Sequence, residues 1–198
     1  MKNNIATNLT IDTWFPIAIG TARCPFIKEI KNDYKEAIKN YSYDENGFCN
    51  KQVYEDPQFN KLNNWILQNV NIYAKAHLYT DPYDCTDSWV LDYPIGKGQP
   101  YHAHLGSTIS CVFYLDADPD DAPIIFMNSN VDIKNPLNLN VRNKENIEHN
   151  ELTYSKCQYT CESGKLVIFR SYMLHAVAPK IKKGKRIVFS YNFDKNKK

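Results

Sequence analysis

"RIVFSYNF", residues 186 to 193, alternates two chemistries along one extended run. Arg186, Val188, Ser190 and Asn192 fall on one face, and Ile187, Phe189, Tyr191 and Phe193 on the other. Such a strand belongs to a sheet with a wholly apolar side, and that side needs cover. Two candidate covers lie upstream. From about Phe26 to Tyr41, Ile27, Ile30, Tyr34, Ala37, Ile38 and Tyr41 recur close to the helical period. From about Asp56 to His77, Leu62, Ile66, Val70, Tyr73 and His77 make a second stripe. Asp56 is placed to cap it, and Pro57 sits where its missing N–H costs nothing.

After Asp81 the pattern is that of strands: Ser88–Tyr93, Thr108–Leu115, Ile124–Met127, Leu152–Cys161, Lys165–Phe169 and Arg186–Phe193. Turn chemistry such as Asp118-Pro119-Asp120-Asp121 and Lys183-Gly184 separates them. The stretch 128–150 is polar, asparagine-rich and aperiodic, which is the signature of a functional lid or a disordered loop. His149 within it reads as a solvated residue, and His77 as a core-edge histidine.

The 198 residues suit one domain, with helical support over about 1–80 and a β core over about 81–198. A formal charge of +2, with basic residues gathered only at 180–186 and 195–198, gives no expectation of nucleic-acid binding. No apolar stretch reaches the length of a membrane span, and the N-terminus lacks the apolar core of a signal peptide. The expected location is the cytoplasm, where six cysteines are thiols. Cys157 and Cys161, four apart with no second pair, make a poor metal site. The Asn-, Lys-, Ile- and Tyr-heavy composition fits AT-rich coding, as in a bacterium or its phage.

The chemistry concentrates in histidines. In "YPIGKGQPYHAHLGSTISCVFYLD", residues 93–116, His102 and His104 are two apart, and on a strand would point the same way, as two imidazoles on one metal must. An HxH pair alone is common by chance. A third histidine, His175, closes the apolar run of "GKLVIFRSYMLHAVAP", residues 164–179, and only a fold that gathers distant strands would join it to the pair.

These pieces in this order resemble the iron(II)- and 2-oxoglutarate-dependent oxygenases. Ser88-Trp89, Gly96 and Gly98, "HAHLGSTISCVFYL", "GKLVIFRSYMLHAVAP" and "RIVFSYNF" are similar to a bacterial and phage branch that carries HxH. "WFPIAIGTA" near the start resembles that branch's opening, and "DYPIGKGQPYHAH" a prolyl-hydroxylase segment. The resemblance implies a double-stranded β-helix, a jelly-roll barrel of two antiparallel sheets braced by helices. It implies an enzyme using Fe(2+), 2-oxoglutarate and O2 to hydroxylate a peptidyl residue such as proline, or a small molecule, with release of succinate and CO2. His102 and His175 match the two histidine ligands, Arg186 the basic residue that grips the distal carboxylate of 2-oxoglutarate, and Tyr93 a tyrosine that bonds the same cosubstrate. Ser190, on the face of Arg186, offers a hydroxyl.

This chain departs from the wider superfamily twice. Most members have aspartate or glutamate where His104 stands, so the third metal ligand is His104 or a nearby carboxylate, Asp116 or Asp118. Arg170 replaces a usual proline. Two other readings share the fold. A cupin dioxygenase would use His102, His104 and His175 without 2-oxoglutarate, although Thr108 and Ile109 occupy the place of the cupin glutamate and nothing there needs Arg186. A binding module without activity would have no reason to keep these polar groups, which are costly to bury.

Overall fold

A computed structural model describes residues 17–79, 82–128 and 154–195. The stretch 128–150 is covered only at its first residue, so the lid reading and His149 lie outside the described residues, as do the opening residues of "WFPIAIGTA" and of the Leu152–Cys161 run.

The alternating run becomes the last of ten strands among the described residues. In chain order these are β1 (Gly20–Arg23), β2 (Phe48–Cys49), β3 (Tyr83–Asp92), β4 (Gln99–His102), β5 (Ile109–Asp116), β6 (Ile124–Met127), β7 (Lys156–Tyr159), β8 (Lys165–Arg170), β9 (His175–Val177) and β10 (Ile187–Lys195). The strand pairs are antiparallel and form two sheets, β1-β8-β5-β10-β3-β2 and β4-β9-β6-β7. The fold is mainly β, a double-stranded β-helix with N-terminal helices.

Two helices, α1 (Ile27–Ala37) and α2 (Asn60–Ala76), cover the larger sheet. Ile187, Phe189, Tyr191 and Phe193 pack against them, with the Phe189 ring 5.1 Å from Phe59 and 5.8 Å from Tyr34. Ile30 and Tyr34 from α1, and Leu62, Ile66 and Val70 from α2, fill the same core. Asp56 does cap: its side chain accepts from the Gln58 N–H in a one-turn 3₁₀ helix, Pro57–Phe59, that leads into α2. His77 is half-buried at the far end of α2, with its ring 4.4 Å from that of Tyr73. Burying these apolar side chains, at about 1.5–3 kcal/mol each, is what fastens the helices to the sheet.

The opposite face of β10 looks between the sheets. There Val188 joins Leu91, Tyr93, Tyr114, Ile124, Phe126 and Phe169 in a second core. Arg186, Ser190 and Asn192 are buried on this side too, so the polar positions of the alternation line the interior.

Three details differ from the sequence reading. The first part of the chain contributes strands as well as helices, since β1 and β2 form the two edges of the larger sheet. His175 does not close the apolar run of β8; it opens β9, in the other sheet. His104 lies two residues beyond the end of β4, not on it.

Candidate metal centre

β4 and β9 pair antiparallel, and His102 is the direct cross-strand partner of His175. The chain then leaves β4, and a hydrogen bond from the His104 N–H to the Ser171 carbonyl (2.8 Å) brings the third histidine back to the same spot. The nitrogen atoms that His102, His104 and His175 can offer all lie within 4.8 Å of one another. Ring centroids are 4.2 Å apart for His102–His175 and 5.1 Å for each of the other two pairs.

Each imidazole is held by its Nδ1. His102 Nδ1 lies 2.8 Å from the Pro100 carbonyl, His175 Nδ1 2.8 Å from the Met173 carbonyl, and His104 Nδ1 2.7 Å from Asn192 Oδ1. A carbonyl oxygen only accepts, so each Nδ1 carries the proton and each Nε2 keeps its lone pair. That is the arrangement of metal-binding histidines, whose second nitrogen is anchored by an acceptor. Burial favours the same neutral state. It holds His175, 3% exposed among Phe126 and Phe169, down at about 4, the neighbouring imidazoles adding to the effect. Burial lowers His104 as well.

The carboxylates entertained as a third ligand point elsewhere. Asp116 pairs with Lys31 of α1 at 2.7 Å, and Asp118 accepts from the Asp120 N–H within its turn. Among the described residues no carboxylate or thiol joins the three histidines.

Arg186 sits deeper in the same pocket. Its side chain is 1% exposed, and one terminal nitrogen donates to the Ala122 carbonyl at 3.1 Å. Nε has no hydrogen-bond partner, and no carboxylate pairs with the guanidinium among the described residues. The rings of Tyr93 and Tyr114 flank it at 5.3 and 5.8 Å. Beyond the field of Asp121, whose carboxylate is taken by backbone N–H groups, the guanidinium has two aromatic faces and one carbonyl, an arrangement that an anion with several oxygens completes.

Tyr93, 4% exposed, donates its hydroxyl proton to Gln99 Oε1 at 2.7 Å. Burial pushes that hydroxyl up to about 12 against the pull of Arg186, so it stays protonated as a donor. Ser190 lines the same wall. Between the cation and the histidines the surface is apolar, made by Leu91, Val112, Ile124, Val177 and Val188. The six residues matched to iron or 2-oxoglutarate, His102, His104, His175, Tyr93, Arg186 and Ser190, therefore line one pocket.

Gln99, Trp89, Asn192, Ser110 and Ser171 were given no role in the sequence, although each stands in a quoted stretch. Trp89 lies 5.7 Å from the His104 ring. Asn192 alone had a signal, its place on the polar face of 186–193. Arg170 ends β8 with its guanidinium between Tyr79 and Tyr172, 5.2 and 5.1 Å away, a site of its own outside the pocket.

Comparisons with known proteins bear on the fold and the family. No curated protein matches the chain by sequence. Its fold is similar to HygX from Streptomyces hygroscopicus with nickel, 2-oxoglutarate and hygromycin B bound, at 8% identity and a TM-score of 0.64, over 91% of this chain and 84% of that one. It is similar to a Pseudomonas putida prolyl-4-hydroxylase, at 13% and 0.62, over 91% and 94%. It is also similar to AviO1 from Streptomyces viridochromogenes Tue57, at 10% and 0.60, over 91% of each. Identities this low speak for the fold. The family is settled by sequence: residues 87–192, more than half of the chain, match the family model described as "Putative 2OG-Fe(II) oxygenase". The chain thus belongs to the 2OG-Fe(II) oxygenases and is a 2-oxoglutarate-dependent dioxygenase that uses Fe(2+) and O2.

Proposed function

We propose that His102, His104 and His175 hold the iron, that Arg186, Tyr93 and Ser190 hold 2-oxoglutarate, and that the enzyme hydroxylates a peptidyl residue such as proline or a small molecule. The observation that carries this reading is the convergence of three imidazoles, each with its Nδ1 anchored, with a buried guanidinium that makes no ion pair, in one pocket. When bound, ferrous iron with 2-oxoglutarate supplies the oxidising chemistry, in which O2 is consumed and succinate and CO2 leave.

The chain's own residues do the positioning. Arg186 pairs with the carboxylate remote from the metal, its Nε having no protein partner. Ser190 offers a donor beside it, as does Tyr93 when its hydroxyl turns from Gln99 to the ligand. Leu91, Ile124 and Val188 keep water from the stem of the ligand, which strengthens the pairing at its end. Imidazoles that are already neutral need release no proton to bind a metal. Three neutral ligands leave the ion its full +2 charge, one more than a facial triad with a carboxylate would, and so favour an anionic cosubstrate.

The two substrate kinds correspond to the relatives' names, hygromycin B for HygX and proline for the P. putida enzyme. Of the partners, the small-molecule cosubstrate and a substrate follow from the family. We read the chain as one domain acting in the cytoplasm without nucleic acid. No helix among the described residues is long and apolar enough to cross a membrane.

Anaerobic calorimetric titration with ferrous iron tests the ligand set. One site is expected in the parent, lost in His102→Ala and His175→Ala and retained in His104→Asp. If His104→Ala binds iron as tightly as the parent, that side chain is not a ligand.

A further inference from the structure

His104 differs from its two partners in what anchors it. His102 and His175 rest on backbone carbonyls of their own segments, two residues away. His104 is anchored by side chains from two other strands. Its Nδ1 lies 2.7 Å from Asn192 Oδ1 on β10 and 3.1 Å from Ser110 Oγ on β5. Ser110 Oγ lies 2.7 Å from the same Asn192 oxygen and 2.8 Å from Ser171 Oγ. Asn192, Ser110 and Ser171 are all buried. Asn192 and Ser110 are cross-strand partners, and the β3–β10 register shifts immediately after Asn192, the kind of irregularity that re-aims a side chain.

With the Asn192 amide oxygen facing the ring, the protons of this cluster run one way. Asn192 Oδ1 has two lone pairs and accepts from the His104 Nδ1–H and from the Ser110 hydroxyl; Ser110 in turn accepts from Ser171. The opposite tautomer would set a bare Nδ1 lone pair against a carbonyl oxygen at 2.7 Å, which is repulsive. Turning the Asn192 amide over would move its NH₂ towards Nδ1 and put the proton on Nε2, where no metal could bind. Ser110 opposes that turn when Ser171 donates to it, because its own proton then goes to the amide oxygen. Ser171 also accepts the His104 backbone N–H, so one turn clamps main chain and ring together.

We propose that Asn192, oriented by the Ser110–Ser171 pair, is a positioning residue that selects the metal-binding tautomer of His104. The proposal rests on the reading of His104 as a ligand. Asparagine does for an imidazole at this position what a carboxylate or carbonyl commonly does behind a metal-bound histidine.

The test is metal affinity in the absence of substrate, by anaerobic calorimetry with ferrous iron and by the visible ligand-field spectrum of the cobalt(II)-substituted protein, which reports the number of bound imidazoles. Asn192→Ala should weaken binding by about 10- to 100-fold and give a spectrum with one nitrogen ligand fewer. Asn192→Asp, which keeps an acceptor facing Nδ1 and adds a charge, should bind as tightly as the parent or more tightly. Parent-like affinity in Asn192→Ala, or equal weakening in both variants, would overturn the proposal. Should Asn192→Ala fail to fold, Asn192→Asp decides alone, since weaker binding there contradicts the tautomer argument. A parent protein that binds no metal would instead remove the site itself, an outcome distinct from parent-like binding in Asn192→Ala.

Discussion

Arg186 is the residue whose burial is hardest to explain without a ligand. It is the largest fully buried side chain of the chain's described part, and it makes no ion pair there, the nearby Asp121 carboxylate being bound by backbone N–H groups instead. Holding an unpaired cation away from water is costly, so this group opposes folding until an anion arrives. Arg186→Met, which keeps most of the stem, should therefore raise the thermal midpoint of the ligand-free protein. It should also abolish the midpoint rise that 2-oxoglutarate gives the parent, which at one hundred times Kd corresponds to about 2.7 kcal/mol. A variant still stabilised by 2-oxoglutarate would mean that another group holds the carboxylate.

His175 makes a second prediction at this scale, for pH. Its folded value of about 4 lies below the roughly 6.5 of an exposed histidine, so between those values the unfolded chain binds the extra proton. Its contribution is present above pH 6.5 and is lost as pH falls towards 4, amounting to about 3 kcal/mol at the lower end. Urea midpoints of the metal-free protein at pH 7 and pH 4.5 measure it. A His175→Leu variant should show a smaller drop, and an equal drop in both would assign the effect to other groups.

Among the elements, β4 and β9 do the most for the site and were the least legible. β4 is four residues long, carries Pro100 and forms the edge of its sheet, the one place a strand tolerates a missing N–H. β9 has three residues. Neither is long enough to show an alternation, so a sequence reading runs His175 on from the apolar stretch before it. The long elements announce themselves: the helical stripes reappear within a few residues of their expected bounds, and Ile124–Met127 is reproduced as it stands.

The backbone approach that lets β4 meet β9 depends on Gly98. A Cβ there would lie 2.4 Å from the Val177 carbonyl oxygen and 2.8 Å from Ala178 main-chain atoms, so the strands must move apart. Gly98→Ala should cost about 1–3 kcal/mol of stability, as overpacking does, and weaken iron binding because His102 moves away from His175. Urea denaturation and an iron titration read the two effects. A variant destabilised but with parental iron affinity would show that the metal site does not depend on this strand pair.

At the scale of the whole molecule, one strand divides the labour. β10 turns Phe189 to the helices and Ser190 to the pocket. Phe189→Ala should cost about 3–5 kcal/mol in denaturation while leaving the affinity of the folded protein for 2-oxoglutarate close to that of the parent. Ser190→Ala should do the reverse, weakening cosubstrate binding with little change in stability. Parallel losses in both variants would mean that the two faces are not separable. This division was legible because a period of two sorts chemistry by face whatever the fold. The proximity of His104 to Asn192, 88 positions apart in sequence, was not, since only the sheet order brings such residues together.

The central claim is that ferrous iron and 2-oxoglutarate meet in this pocket. It is tested most directly by adding 2-oxoglutarate to the anaerobic iron-loaded protein and recording the visible spectrum. A keto-acid that chelates iron through two oxygens gives a charge-transfer band, and we predict one that saturates at one equivalent, is absent in His175→Ala and decays with release of succinate when air is admitted. A parent protein that binds iron yet gives neither band nor succinate would contradict the account.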